Sequence, residues 1–466
     1  VREARDRVRA AVQTSRFVWP NRKITVNLAP SGVPKSGAGL DLAIGVGVLV
    51  AAGDIAPEAV RDLAFIAELG LDGSLRAVPG ALPLAVAAGK GTVVVAHSNA
   101  PEVGLVEGRR VAPAADLDEV GRVLRGEAPW SVAVVERKAR STKPLVDLGQ
   151  VQGQHVARRA TEIAAAGGHH LLLVGPPGAG KTMLAKSLPG LLPPLDGEGA
   201  LEVTTIHSAA GLRLPSGGLV TAAPFRAPHH TSSTVALVGG GTRQLRPGEI
   251  SCANGGVLFL DELGEFPAAV LDSLRQPLEE GQVRVARAYG TATFPARFIL
   301  VGATNPCPCG EGTPDGRFCR CTEAARARYA RRLTGPLLDR FDLRVHVQRP
   351  SSVELFSSSV AETSAAVAAR VARARELARG RGIDANVAIS AADVDRYAVL
   401  SERAQALLVC AVDDGRLSAR GVHRVRCVAR TVADLEEHEG ELGERHVATA
   451  LALRAASVEA NEGARW

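Results

Sequence analysis

Gly175-Pro176-Pro177-Gly178-Ala179-Gly180-Lys181-Thr182 follows directly on the apolar run Leu171-Leu172-Leu173-Val174. A buried strand, a glycine-rich turn and a helix beginning at Lys181 make the phosphate loop G-x-x-x-x-G-K-[ST]. The chemistry dictates the residue types. Glycines let successive backbone N–H groups turn inward onto phosphate oxygens, and the helix N-terminus adds the positive end of its dipole. Lys181 supplies a point charge to the β- and γ-phosphates, and the Thr182 hydroxyl is suited to ligate Mg²⁺. ATP and Mg²⁺ are the expected ligands. A bare Gly/Pro turn between strand and helix would not require all eight positions.

Two more strands downstream end in polar groups. Gly256-Val257-Leu258-Phe259-Leu260 runs into Asp261-Glu262, and Phe298-Ile299-Leu300-Val301-Gly302-Ala303-Thr304 runs into Asn305. Adjacent carboxylates at a buried strand end repel each other unless a cation stands between them. Asp261 is therefore expected to hold Mg²⁺, and Glu262 to polarise the water that attacks the γ-phosphate. Asn305 would orient that water or touch the γ-phosphate; its alternative is a turn cap before Pro306. Between these strands, residues 282–287 and 291–294 alternate around Gly290 and predict a β-hairpin carrying Arg284 and Arg287. Residues 204–250, rich in Gly, Pro, Ser, His and Arg, read as a long functional loop. Its His229-His230 pair lacks further ligands at tight spacing and is assigned to the loop.

The whole chain has 466 residues, a formal net charge of +6 and 46% apolar residues, enough for several domains with a sizeable core. The basic balance permits nucleic-acid binding without requiring it. No uncharged apolar run is long enough to span a membrane, and no secretory pattern opens the chain. Seven cysteines in such a chain are expected as thiols in the cytoplasm. Cys307, Cys309, Cys319 and Cys321 form C-x-C-x₉-C-x-C, four soft thiolates that suit tetrahedral Zn²⁺; free thiols are the alternative. Cys252, Cys410 and Cys427 stand alone and are expected buried.

Residues 1–128 read as a mixed α/β domain, with helices at 1–15, 40–52, 83–88 and 117–124 and strands at 24–28, 73–78 and 92–96. Residues 129–150 read as a linker, 151–350 as the nucleotide-binding core, and 351–466 as a helical lid with helices at 353–379, 391–400, 404–413, 422–437 and 443–454. Ser418 is expected to cap the helix that follows Leu417-Ser418-Ala419-Arg420-Gly421.

GPPGAGKT, GVLFLDEL, ATNPCPCG, LLDRFDL and LSARG, in that order, resemble the magnesium-chelatase-like AAA+ ATPases. With the domain in front, the chain closely resembles the YifB/ComM competence group. The resemblance implies an AAA+ P-loop core with a C-terminal helical lid, preceded by a Lon-protease-like α+β domain. That domain opens abruptly on a charged helix and is expected to be N-terminally truncated. Residues 69–88 are similar to the strand–turn–helix that carries the catalytic Lys in such proteases. Here the matching position is Leu84, and Ser36 has no base to activate it, so no proteolysis is expected. The resemblance further implies that Asn305 is sensor 1, that residues 152–155 lie near the adenine, and that the hairpin faces a central pore. Arg340 would reach a neighbour's γ-phosphate in trans, and Arg420 would touch phosphates in cis as sensor 2. Structural Arg–Asp pairing and a surface position are the respective alternatives. The implied assembly is a homo-oligomer, a hexameric ring. The implied activity is ATP hydrolysis driving DNA branch migration on single-stranded or branched DNA; a chelatase motor or a remodelling ATPase is the alternative.

Overall fold

A computed structural model describes residues 2–29, 37–89, 91–131, 145–215, 218–241, 245–287, 290–311, 319–332, 335–352, 354 and 361–455. At the N-terminal end, the helix Arg2–Thr14 buries Val8, Ala11 and Val12. That i, i+3, i+4 spacing gives one apolar face, which packs against the helix Asp41–Ala52. Strands Leu63–Ile66, Thr92–Ala96 and Arg110–Ala114 form a parallel sheet in that order. The helix Leu117–Leu124 follows, its Asp116 cap accepting from Glu119 N at 2.8 Å. The strand expected at 24–28 is absent: residues 23–28 pair with no neighbour and leave their side chains exposed or half-exposed, so no ladder stabilises the extended form. The strand expected at 73–78 shortens to Leu75–Arg76, paired with Glu68–Leu69. Leu84 is exposed on the helix Ala81–Ala87, and Ser36 lies outside the described residues.

The second sheet positions the site. Its strands Leu343–His346, Leu171–Val174, Ile299–Thr304, Val257–Leu260 and Phe225–Arg226 lie side by side in that order, all parallel. Numbered in chain order this is 5-1-4-3-2. Alternate side chains point to opposite faces. Leu171, Leu173, Val301 and Ala303 join the core that includes the helix His155–Gly167 and the C-terminal helices. Leu172, Leu258, Leu260, Leu300 and Phe341 join the other. Both faces are covered, which is why these strands read as unbroken apolar runs. The Phe225–Arg226 strand falls inside the stretch read as an irregular loop. That stretch also carries the helices Thr234–Val238 and Glu249–Cys252. Two residues of strand are too few for an alternation to show.

The hairpin forms as expected, Gln282–Arg287 against Gly290–Pro295, with Arg284 opposite Thr293. The C-terminal region is helical, with Ser364–Gly380, Glu402–Asp413, Ala419–Leu435 and Glu444–Ala455. The helix expected at 391–400 is only Val394–Tyr397. Ser418 caps Ala419–Leu435 by accepting from Gly421 N at 3.2 Å. Cys252 and Cys427 are buried, whereas Cys410 is exposed on the outer face of its helix.

Candidate nucleotide site

The phosphate loop leaves the C-terminal edge of the central sheet between strands 1 and 4, where ligands of open α/β sheets bind. Gly178 and Gly180 adopt φ of 76° and 92°, which L side chains rarely tolerate. Gly175 passes close to the neighbouring strand: a Cβ there would lie 2.1 Å from the Val347 carbonyl oxygen. Lys181 begins the helix Lys181–Ser187 and is buried. Its Nζ donates to the carbonyl oxygens of Gly175 and Pro176 and, at 3.1 Å, to Asn305 Oδ1. These acceptors are uncharged. Burial lowers the affinity of Lys181 for its proton, against the opposing pull of Asp261 and Glu262. An ammonium group held this way is matched by an incoming anion.

Thr182 Oγ1 donates to Asp261 Oδ2 at 3.0 Å. A hydroxyl and a carboxylate converging beside a lysine form a donor set suited to a hard divalent cation. Asp261 Oδ1 accepts from Glu262 N at 2.9 Å. Glu262 takes φ of 51°, an unusual value for a non-glycine residue, which turns its side chain away from the strand direction. Asn305 follows the strand Ile299–Thr304, and Tyr329 Oη lies 3.1 Å from Thr304 Oγ1. Lys181 with Asn305 and Thr182 with Asp261 thus form two hydrogen-bonded pairs at adjacent positions of the loop, with Glu262 adjoining. Gln154 Nε2 reaches Ala179 O at 3.4 Å, so the stretch before the helix His155–Gly167 does border the loop.

Two neighbours of this site were not legible in the sequence. His230 Nδ1 lies 3.1 Å from Glu262 Oε2. Gly310, just past the first cysteine pair, packs on the phosphate loop: a Cβ there would lie 2.9 Å from Pro177 Cδ. Neither contact has a local pattern, because each joins segments far apart in the chain.

The four cysteine sulfurs lie within 4.8 Å of one another. Cys307 Sγ is 3.2 Å from Cys309 Sγ and 3.6 Å from Cys319 Sγ, and Cys309 Sγ is 4.0 Å from Cys319 Sγ. Zn–S bonds of about 2.3 Å in a tetrahedron place sulfurs about 3.8 Å apart, so the cluster fits zinc.

Arg340 and Arg420 are brought together, away from the phosphate loop. Both donate to Glu279 Oε1, Arg420 Nη2 at 3.0 Å. Arg340 precedes Leu343, which is in register with Leu171 at the N-terminal edge of the sheet. The phosphate loop begins after Val174, at the opposite edge. Four strand residues separate the edges by about 13 Å. Arg420, expected at its own chain's phosphates, instead shares Glu279 with Arg340 because the lid helix Ala419–Leu435 starts at that far edge. Behind them, buried Asp342 accepts from Arg424 Nη1 and His170 N. Burial pushes the Asp342 carboxyl up, but His169, Arg424 and His170 outweigh it and hold the group far below the carboxylate range.

A parallel 5-1-4-3-2 sheet with a phosphate loop after strand 1 and acidic residues after strand 3 defines a P-loop nucleotide-binding protein of the AAA+ type. The family model described as "Magnesium chelatase, subunit ChlI" matches residues 147–355, "Subunit ChlI of Mg-chelatase" residues 1–99, and "Magnesium chelatase, subunit ChlI C-terminal" residues 361–454. The chain is 42% identical to competence protein ComM of Haemophilus influenzae over 98% of its own length and 90% of that protein. It is also 42% identical to the uncharacterised protein YifB of Escherichia coli, over 98% and 89%. A partial match, 29% identical, covers 47% of this chain and 28% of the probable DNA helicase MCM9 of Arabidopsis thaliana. The chain belongs to the magnesium-chelatase-like YifB/ComM family. Among the described residues, no helix is long and apolar enough to cross a membrane.

Proposed function

We propose that this chain hydrolyses ATP in a hexameric ring of its own copies, in the cytoplasm, and uses the cycle to migrate branches in DNA during integration of incoming strands. The observation that carries the ring is the joint placement of Arg340 and Arg420 on Glu279, at the sheet edge opposite the phosphate loop. An arginine there cannot serve its own site, whereas a head-to-tail neighbour would receive it. The relatives ComM and, more distantly, MCM9 support DNA as the substrate. So do the exposed Arg284 and Arg287 of the hairpin, since arginines neutralise phosphates whatever the base sequence.

Each residue then has a defined task. Residues 175–180 present backbone N–H groups to the phosphates, and Lys181 places its charge at the β- and γ-phosphates. Thr182 and Asp261 would hold Mg²⁺, which supplies charge neutralisation at the phosphates when bound. Glu262 takes the proton of the attacking water, and Asn305 orients it. Arg340 and Arg420 stabilise developing charge in the neighbour's site. Cys307, Cys309, Cys319 and Cys321 would hold a structural zinc that stiffens the loop against Pro177. The Lon-like domain is assigned no proteolysis.

The description of the matching family favours a second reading, a chelatase-type motor. Turnover by the purified full chain separates the two. DNA motors respond to DNA, so ATPase should rise with branched DNA, and affinity for that DNA should fall as salt rises. An ATPase that ignores branched DNA at low salt would sink the DNA reading.

A further inference from the structure

The segment that carries Arg340 is held from the lid. Residues 339–342 lie between the helix Gly335–Leu338 and the strand Leu343–His346, so neither hydrogen-bond ladder serves their carbonyl oxygens. Arg340 and Phe341 are buried, and a buried carbonyl outside a ladder needs a donor. Two lid helices supply one each. Arg424 Nη1, on the helix Ala419–Leu435, donates to Arg340 O at 2.7 Å. Arg454 Nη1, on the helix Glu444–Ala455, donates to Phe341 O at 3.1 Å. Two guanidinium groups from different helices thus meet consecutive carbonyls of one segment.

The grip is charge-assisted. Arg424 Nη1 carries two hydrogens, and its second acceptor is Asp342 Oδ1. Asp342 is itself fixed, its other oxygen accepting from His170 N at 3.0 Å. Asp342 and Arg454 are buried, and the Arg424 side chain is 20% exposed. Away from water, such bonds are roughly twice as strong as those between neutral groups. Phe341 supplies the fixed point. Its ring lies against strand 4 where Gly302 leaves room: a Cβ there would lie 2.9 Å from Phe341 Cζ. With the ring seated, the two carbonyl bonds set how the backbone of Arg340 is turned about it, and so where its guanidinium points. The helix Ala419–Leu435 reaches that guanidinium as well, since Arg420 shares Glu279 with it.

We propose that Arg424 and Arg454 are positioning residues for hydrolysis in the neighbouring subunit: from the lid they fix the backbone of Arg340, so the lid of one subunit aims the arginine offered to the next. Both act at the sheet edge opposite their own phosphate loop. This inference rests on the reading of Arg340 as the arginine that serves the neighbour. A lesion at Arg424 should therefore behave as a lesion of Arg340 and leave the nucleotide loop of its own chain intact.

The test is steady-state ATP turnover of the purified full chain, alone and in mixed assemblies. Arg424→Met keeps an apolar stem and removes both bonds. Its kcat should fall about tenfold to a hundredfold, the order expected when a reacting group is misplaced by about 1 Å. Its KM for ATP should stay within about twofold. Mixed with Lys181→Ala and allowed to exchange subunits, it should recover as much ATPase as Arg340→Ala recovers with Lys181→Ala. Mixed with Arg340→Ala it should recover none, because both lesions lie on one side of the interface. A chain merely loosened by the substitution would damage its own site too, and Lys181→Ala would not repair it. Arg454→Met leaves the bonds between Arg424 and Asp342 in place and should show the same pattern with a smaller fall in kcat. It becomes the deciding variant if Arg424→Met melts well below wild type. A kcat within about twofold of wild type in the deciding variant overturns the proposal. So does a loss that Lys181→Ala fails to repair, in assemblies shown to contain both variants, while it repairs Arg340→Ala. If Lys181→Ala repairs neither Arg340→Ala nor the lid variant, the reading of Arg340 itself falls.

Discussion

Replacing Arg340 with Ala should abolish turnover without unfolding the chain, and the loss should be repairable by a neighbour. One partner of Arg340 in its own chain is Glu279, whose side chain is 47% exposed. Removing the arginine leaves no stranded buried carboxylate at this contact, because the half-exposed Glu279 keeps Arg420 as a partner at 3.0 Å. Tm should fall by a few degrees at most. The catalytic cost is of a different order. An arginine supplied in trans to a phosphoryl transfer contributes about 10³- to 10⁵-fold in kcat. Lys181→Ala removes the other half of the site, since Lys181 is the charge within the loop. Mixing the two inactive proteins and allowing subunits to exchange gives some interfaces an intact Lys181 on one side and an intact Arg340 on the other. With equal amounts and independent sites, about one interface in four is complete, whatever the number of subunits in a closed ring. ATPase of the mixture should thus recover to about a quarter of wild type, read by phosphate release after re-assembly. If Arg340 served its own chain, no subunit in the mixture would hold both groups. Recovery near zero in rings shown to contain both variants would refute the assignment of Arg340 to the neighbouring site.

Glu279→Gln removes the charge that gathers Arg340 and Arg420; kcat should fall about tenfold or more from misplacement alone, with KM for ATP nearly unchanged, as steady-state kinetics will report. Stability should depend on pH through His170. Burial, opposed by Asp342 and reinforced by Arg424 and His169, pushes this imidazole down to about 4, and Leu300 N donates to its Nδ1 at 3.0 Å, a bond that protonation destroys. Between about pH 4 and 6.5 the unfolded chain binds a proton that the folded chain refuses, so this contribution of about 3 kcal/mol is complete above pH 6.5 and is lost as pH falls toward 4. Urea melts across that range should show the slope, and His170→Asn, which offers an oxygen acceptor to Leu300 N, should flatten it. Metal analysis should find about one zinc per chain, and its removal by a chelator, followed by exchange into Mg²⁺ alone, should reduce ATPase, with Cys309→Ser reproducing the loss.

What could be read directly from the residues was what local chemistry repeats. Buried runs of four to seven residues leading into Gly175, Asp261 and Asn305 predict strands and the groups at their tips, because a strand buried on both faces must be largely apolar and must surface at its end. The hairpin around Gly290 is legible for a similar reason: alternation over residues 282–287 and 291–294 on its two sides leaves little else. The expected strand at 24–28 has the same alternation and fails, since a strand needs a partner and the pattern cannot supply one. The Phe225–Arg226 strand escapes notice for the opposite reason. It has a partner, Val257–Leu258, but is too short for a period.

The deeper limit concerns direction. Arg340 and Arg420 were identifiable as residues, yet the side of the sheet they occupy depends on strand register and on where the helix Ala419–Leu435 docks. Register sets Leu343 beside Leu171, and with it the whole stretch before Leu343 falls at the N-terminal edge. The loop after Val174 falls at the other. Once the strands are parallel, a group preceding one strand and a loop leaving the end of its neighbour must lie a full strand length apart. The two arginines are therefore placed away from the phosphate loop of their own chain, which is why the proposed function assigns them to a neighbour. His230 is the converse case. It stands 32 residues before Glu262 in the chain, but strand 2 and strand 3 run parallel and adjacent, so the segments leaving their C-terminal ends emerge at the same edge. A single topological fact, parallel strands in the order 5-1-4-3-2, thus separates Arg340 from its own nucleotide loop and brings His230 onto the carboxylate beside it.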